Sequence, residues 1–181
     1  MDYPQPQGSD MLGRLGSHAL SQARQPPKLT LSEWANEHLM LSAEDASEPG
    51  KYSTSRAPYQ RGILDAISNP LNGEVVIMSS AQVGKTLIAK AVIGYCIDQD
   101  PAPMLIVQPT IEMAETFSKD RLAPMVRDTP ALRGKIADPR SRDSGNTILH
   151  KRFAGGHLTI VGANAPAGLA SRPIRWVLCD E

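Results

Sequence analysis

The residues best suited to chemistry fall in two short stretches, of which the first is Val75-Val76-Ile77-Met78-Ser79-Ser80-Ala81-Gln82-Val83-Gly84-Lys85-Thr86. An apolar run enters a loop of small residues that closes on a glycine, an ammonium and a hydroxyl. A loop between a strand and a helix exposes successive backbone N–H groups, and the helix N-terminus adds partial positive charge, so a polyphosphate fits there. Gly84 lets the backbone approach the phosphates, and Lys85 sets its ammonium on the β and γ oxygens. Thr86 supplies a hydroxyl to Mg2+, with waters and phosphate oxygens completing the octahedral shell. The expected nucleotide-binding residues of the loop are therefore Ser79, Ser80, Ala81, Gln82, Val83, Gly84, Lys85 and Thr86, with ATP and Mg2+ as cofactors. One position departs from the usual pattern, because Ser79 stands where the first glycine would be. On its own the stretch could also be an ordinary strand–turn–helix that happens to read Gly-Lys-Thr.

The second stretch closes the chain: Trp176-Val177-Leu178-Cys179-Asp180-Glu181. Four apolar residues make a strand, and two adjacent carboxylates sit at its C-terminal end, where open α/β sheets place their ligands. Asp180 is expected to hold the metal through water. Glu181 is expected to orient and deprotonate the attacking water, which makes Lys85 and Glu181 the catalytic pair. A strand ending in two surface carboxylates is common by itself. Both motifs in this order, a βαβ span apart, argue against coincidence.

The elements that must position these groups follow from periodicity. Residues 1–29, rich in Gln, Pro, Ser and Gly where the chain begins, read as a disordered N-terminal arm. Residues 30–57 read as a short helix and an extended linker: Ser32 is the expected cap, Trp34, His38 and Leu39 share a face, and Pro49-Gly50 marks a turn. Residues 58–181 read as the N-terminal part of an ATPase domain. Pro58 starts a helix, with Tyr59, Ile63, Leu64 and Ile67 at helical spacing until Asn69-Pro70 ends it. Strand 74–78, helix 86–98, strand 104–107 and an amphipathic helix 112–126 broken near Pro124 then alternate. Two further runs flank Ala154-Gly155-Gly156 as a β-hairpin, and 175–179 is the last strand. The alternation predicts an α/β fold of the P-loop NTPase class, a mainly parallel sheet flanked by helices and left incomplete at residue 181.

With 181 residues, 41% of them apolar and 21% charged, the chain can bury one real core. Formal net charge is zero, so no global field argues for a polyanion. The charge is unevenly placed. Residues 1–50 hold seven carboxylates against three Lys and Arg, whereas residues 119–152 hold nine Lys and Arg against four carboxylates. The basic stretch is either a solvated surface or a polyanion-binding face. The two cysteines, Cys96 and Cys179, lie in apolar runs and read as buried thiols in a reducing compartment. The four histidines are scattered, no stretch has zinc-ligand spacing, and no apolar run is long enough to span a membrane. No charged-then-apolar leader opens the chain, so secretion is not expected.

The combination of motifs resembles a known family. Pro49-Gly50-Lys51-Tyr52, Arg56-Ala57-Pro58-Tyr59-Gln60, the loop Ser80–Thr86, Gln108-Pro109-Thr110, Ala163-Asn164-Ala165 and Ser171-Arg172-Pro173 leading into Trp176–Glu181 are similar to the large terminase subunit of tailed phages, of the lambda-like GpA type. The resemblance covers about residues 30–181. It implies an ATPase motor that drives viral double-stranded DNA into an empty capsid in the host cytoplasm. The implied partners are the DNA, the terminase small subunit, the portal or procapsid, and further copies of the chain. It also implies that Tyr59 and Gln60 contact adenine, although Tyr59 could equally be a core residue of its helix. Many terminases carry an arginine just before the loop glycine; here those positions are Ala81, Gln82 and Val83. The arginine would come from a neighbouring subunit or from this chain, with Arg172 and Arg175 as candidates. Terminases of this type continue into a nuclease domain, which these residues do not include.

Two other readings stay open. A helicase or restriction-type DNA translocase would share the same ATPase core, and Gln108-Pro109-Thr110 does not separate it from a terminase. Downstream sequence would, because a nuclease domain favours the terminase and a second motor domain the helicase. The third reading is a nucleotide-binding truncation that hydrolyses nothing: the chain stops on Glu181, and a catalytic carboxylate on an untethered end implies weak turnover.

Overall fold

In a computed structural model, the described residues are 28–136, 146–164 and 173–180. Helix α1 (Leu31–His38) starts at a capping box: the Thr30 hydroxyl accepts from Glu33 N, and the Glu33 carboxylate accepts from Thr30 N at 2.8 Å. The cap is thus Thr30, not Ser32, which lies buried in the first turn. The stretch after α1, expected as a plain linker, contains a short antiparallel pair. Here β1 (Met40–Leu41) faces β2 (Gly50–Lys51) in the register Met40↔Lys51.

Helix α2 (Pro58–Ser68) opens on proline, whose missing N–H costs nothing at a first helical position. Helix α3 (Lys85–Asp98) is buried almost all round from Lys90 to Ile97, as its near-continuous apolar sequence requires. It packs closely on α1. A Cβ built on Gly94 would lie 2.3 Å from Trp34 Cη2, so only glycine admits the indole at that depth.

The strand β3 (Met104–Gln108) follows. The helix expected over 112–126 is three joined segments, α4 (Ile111–Thr116), a π-helical stretch (Phe117–Leu122) and α5 (Ala123–Asp128). Pro124 has no N–H to donate to a carbonyl one turn back, and its ring would clash there. The wider π turn just before it relieves both, so the chain stays helical through the proline. The hairpin is β4 (His150–Phe153) and β5 (Gly156–Gly162), turning at Ala154-Gly155, and the last strand is β6 (Trp176–Cys179).

These strands form one mixed sheet in the order β4-β5-β3-β6. β3 runs parallel to both β5 and β6, and β4 runs antiparallel to β5. The architecture is α/β, and the core gathers around Trp34, Leu64, Ile93, Met104, Ile106, Leu122, Leu158 and Ile160.

Two expectations are corrected. Residues 74–80 form no strand. Val76 is 73% and Met78 93% exposed, and only Ile77 packs against the core. A β-branched run becomes a strand only when a neighbour takes its backbone hydrogen bonds, and among the described residues none does. For the same reason, among the described residues β6 is an edge strand, paired to β3 alone, with Val177 57% exposed. Cys179 is accordingly exposed, and only Cys96 is a buried thiol. Of the arm expected over residues 1–29, residues 1–27 lie outside the described residues. No helix of the described residues is long and apolar enough to cross a membrane.

Candidate functional site

Gly84 caps α3 in a left-handed conformation, φ 88°, and Gln82 is also left-handed at φ 59°. Left-handed residues interleaved with ordinary ones fold successive N–H groups into a concavity that suits an anion. Holding a non-glycine residue such as Gln82 there costs about 1–3 kcal/mol, a strain characteristic of ligand loops. Gly84 has no side chain with which to cap α3. Residues 79–82 are exposed, and Val83, Gly84, Lys85 and Thr86 are half-buried.

The loop is braced from behind by α2. Tyr59 Oη donates to Val83 O at 2.9 Å, and Gln60 Nε2 donates to the same carbonyl at 3.3 Å. Gln60 Oε1 in turn accepts from Tyr52 Oη at 2.8 Å. Tyr52 is buried, and loss of solvent pushes its phenol up to about 12, so it stays a donor at any ordinary pH. A Cβ on Gly84 would come within 2.5 Å of Gln60 Nε2, a second reason for glycine besides its φ. Gln60 thus has both ends of its amide engaged inside the protein, with 3% of its surface exposed. The Tyr59 ring, 56% exposed, stays open beside the loop. Sequence reasoning gave Tyr52 no role, because its tie to Gln60 is a tertiary contact with no local signature.

Asp180 follows β6. Its N donates to Val107 O at 3.0 Å, and its Oδ2 accepts from Gln108 Nε2 at 3.2 Å. The direction of α3 relates this group to the loop. α3 ends at Asp98 and β3 starts at Met104, a connection too short to cross the sheet, so α3 runs antiparallel to β3 and β6. The Asp100 carboxylate, just beyond α3, takes Arg175 Nη2 at 2.7 Å and Lys28 Nζ at 3.3 Å. Arg175 sits at the start of β6. The far end of α3 is therefore pinned to the strand starts, and its first turn points toward the strand ends, where Asp180 lies.

This geometry disposes of Arg175 as the source of an arginine for the loop. It is committed to Asp100 at the wrong end of a helix of 14 residues, about 20 Å long at the usual rise. Arg172 and Glu181 lie outside the described residues. In the basic stretch three described cations make ion pairs: Lys119 with Glu115, Arg127 with Glu44 and Asp128, and Lys135 with Asp98. Lys151 is buried, and its Nζ donates to Thr147 O at 2.7 Å. Arg140 and Arg142 lie outside the described residues.

Residues 46–181 match the family described as phage terminase large subunit gpA, ATPase domain. The chain is 35% identical over 157 residues to the terminase large subunit of Enterobacteria phage P21, covering 86% of this chain and 24% of that protein. It is 33% identical over 131 residues to the terminase large subunit of Escherichia phage lambda, covering 72% of this chain and 20% of that one. The chain thus spans about a quarter or less of the length of these relatives. No solved structure matches. The match takes in the loop, its α2 brace and Asp180 together, and on that ground the chain belongs to the ATPase-domain family of the phage terminase large subunit gpA.

Proposed function

We propose that this chain carries the nucleotide-binding part of a P-loop ATPase that powers the packaging of viral double-stranded DNA into a capsid. The observation that carries the reading is the left-handed turn through Gln82 and Gly84, which opens α3 toward the strand ends where Asp180 sits. Backbone amides of Ser79–Thr86 would cradle the phosphates, the Lys85 ammonium would neutralise the terminal ones, and Tyr59 would lie along the base. Thr86 and Asp180 offer hard oxygens, the donor set that suits Mg2+ completed by waters and phosphate oxygens. The cation would supply charge neutralisation of the transferring phosphate. Glu181, next in sequence to Asp180, is the proposed base for water. Double-stranded DNA, the small subunit, the portal and further copies of the chain are proposed partners from the family membership, and a nuclease domain is no part of this proposal.

The test is equilibrium binding of a fluorescent ATP analogue. Wild type should bind in Mg2+, and Lys85→Ala should weaken binding at least tenfold, about 1.4 kcal/mol or more, with an unchanged thermal midpoint. Equal affinity in the two proteins would overturn the reading.

A further inference from the structure

Gln108 closes β3 with its side chain 4% exposed, an amide buried at the end of an otherwise apolar strand. Its backbone and side chain face different neighbours. The Gln108 carbonyl accepts from Ala163 N, at the end of β5, at 2.7 Å, and the side-chain amide donates to Asp180 Oδ2 at 3.2 Å. The β3–β6 ladder ends at Val107↔Cys179, so Gln108 and Asp180 are the next residues on paired strands. Asp180 is fixed twice, through its own N–H to Val107 and through its carboxylate to Gln108.

We propose that Gln108 is a positioning residue that fixes the Asp180 carboxylate for the cation of the proposed ATP site. The role rests on the nucleotide reading above and assigns to β3 a part in metal binding. An ionised carboxylate only accepts hydrogen bonds, so the amide must present its NH2 to Asp180. A neutral donor holds one oxygen without neutralising the group, and the full negative charge stays available to a cation. Lysine or arginine in the same place would compete with that cation. One oxygen engaged by Gln108 also selects a single rotamer, which leaves Oδ1 for a metal or its water. Such supporting hydrogen bonds typically govern metal affinity by 10–100-fold.

The measurement is the Mg2+ concentration at half-maximal enhancement of ATP-analogue binding to the whole chain. Gln108→Met, similar in shape but without a donor, should raise that midpoint about tenfold while Mg2+-free nucleotide affinity stays the same. Gln108→Asn keeps an amide but withdraws the donor by one methylene, so it should show the same rise and serves if the methionine variant does not fold. Because Gln108 acts through Asp180, adding either change to Asp180→Asn should move the midpoint no further, whereas a merely structural effect would add. An unmoved midpoint in a folded Gln108 variant that binds nucleotide overturns this role and leaves the nucleotide site standing. Wild type that binds no ATP analogue at any Mg2+ concentration overturns both.

Discussion

Replacing Lys90 by methionine should destabilise the chain by about 3–5 kcal/mol, the usual cost of orphaning one member of a buried ion pair. Lys90 lies on α3, and its Nζ sits 2.5 Å from Asp45 Oδ2, with 5% and 2% of the two side chains exposed. At an effective dielectric of about 20, that separation corresponds to an attraction of roughly 6–7 kcal/mol. Dehydrating each ion offsets several kcal/mol of it, so the intact pair contributes little net stability. Removing one partner is different, because the attraction vanishes and the dehydration remains. Asp45 Oδ1 already lacks a hydrogen-bond partner among the described residues, so the stranded carboxylate has no second donor to fall back on. For a domain stable by about 5–15 kcal/mol the loss is a large fraction. It corresponds to a fall in Tm of about 6–20 °C at 2–4 °C per kcal/mol. Urea denaturation followed by far-UV circular dichroism reads the change, and the double variant Lys90→Met/Asp45→Leu should recover to within about 1 kcal/mol of wild type. A single-variant cost below about 1 kcal/mol, with no recovery in the double variant, would refute the argument, since the pair would then behave as a hydrated surface contact.

The remaining predictions concern thiols and pH. Iodoacetamide should label the exposed Cys179 and spare Cys96, whose thiol burial pushes up to about 12; mass spectrometry finding Cys96 labelled first would contradict the packing of α3. At Asp98, burial raises the carboxyl, but hydrogen bonds from Gln99, Lys135 and Trp34 outweigh it and hold the group below the ordinary range. A depressed folded value means stability that is present above the unfolded value, near 3.9, and is lost as pH falls through the folded one. Asp98→Asn should therefore lower the melting temperature at neutral pH and flatten its decline below about pH 4; an unchanged acid limb would show the three donors to be idle.

What could be read from sequence was whatever is encoded locally. The Pro58 start, the apolar length of α3, the Gly155 turn and the carboxylate after the last strand are each set by residues within one or two turns of themselves. The misreadings share a physical cause. Val75-Val76-Ile77 has strand chemistry, yet a strand exists only with a partner for its N–H and C=O groups, and that is a fact about the sheet. Burial of Cys179 was inferred from an apolar run, but an edge strand exposes every second residue. The same limit hid what Tyr52 and Gln108 hold, because their partners lie 8 and 72 positions away.

These long-range contacts explain how loop and carboxylate come to share one end of the sheet. α3 is a rigid rod, so fixing its far end fixes its direction. Arg175 and Lys28 on Asp100, with Trp34 and Lys135 on Asp98, anchor that end in three separate parts of the chain. Near the middle, Lys90 ties the rod to Asp45, and at the first turn Tyr52, Gln60 and Tyr59 hold Val83. Every one of these ties except Lys135 and Arg175 comes from residues 28–60, ahead of the loop in sequence. Helix α1, the β1–β2 pair with its connection, and α2 thus act as a clamp that orients α3. A change in that clamp far from the loop, such as losing the Trp34 contact, should shift nucleotide affinity through the angle of α3 before it alters any group that touches the nucleotide.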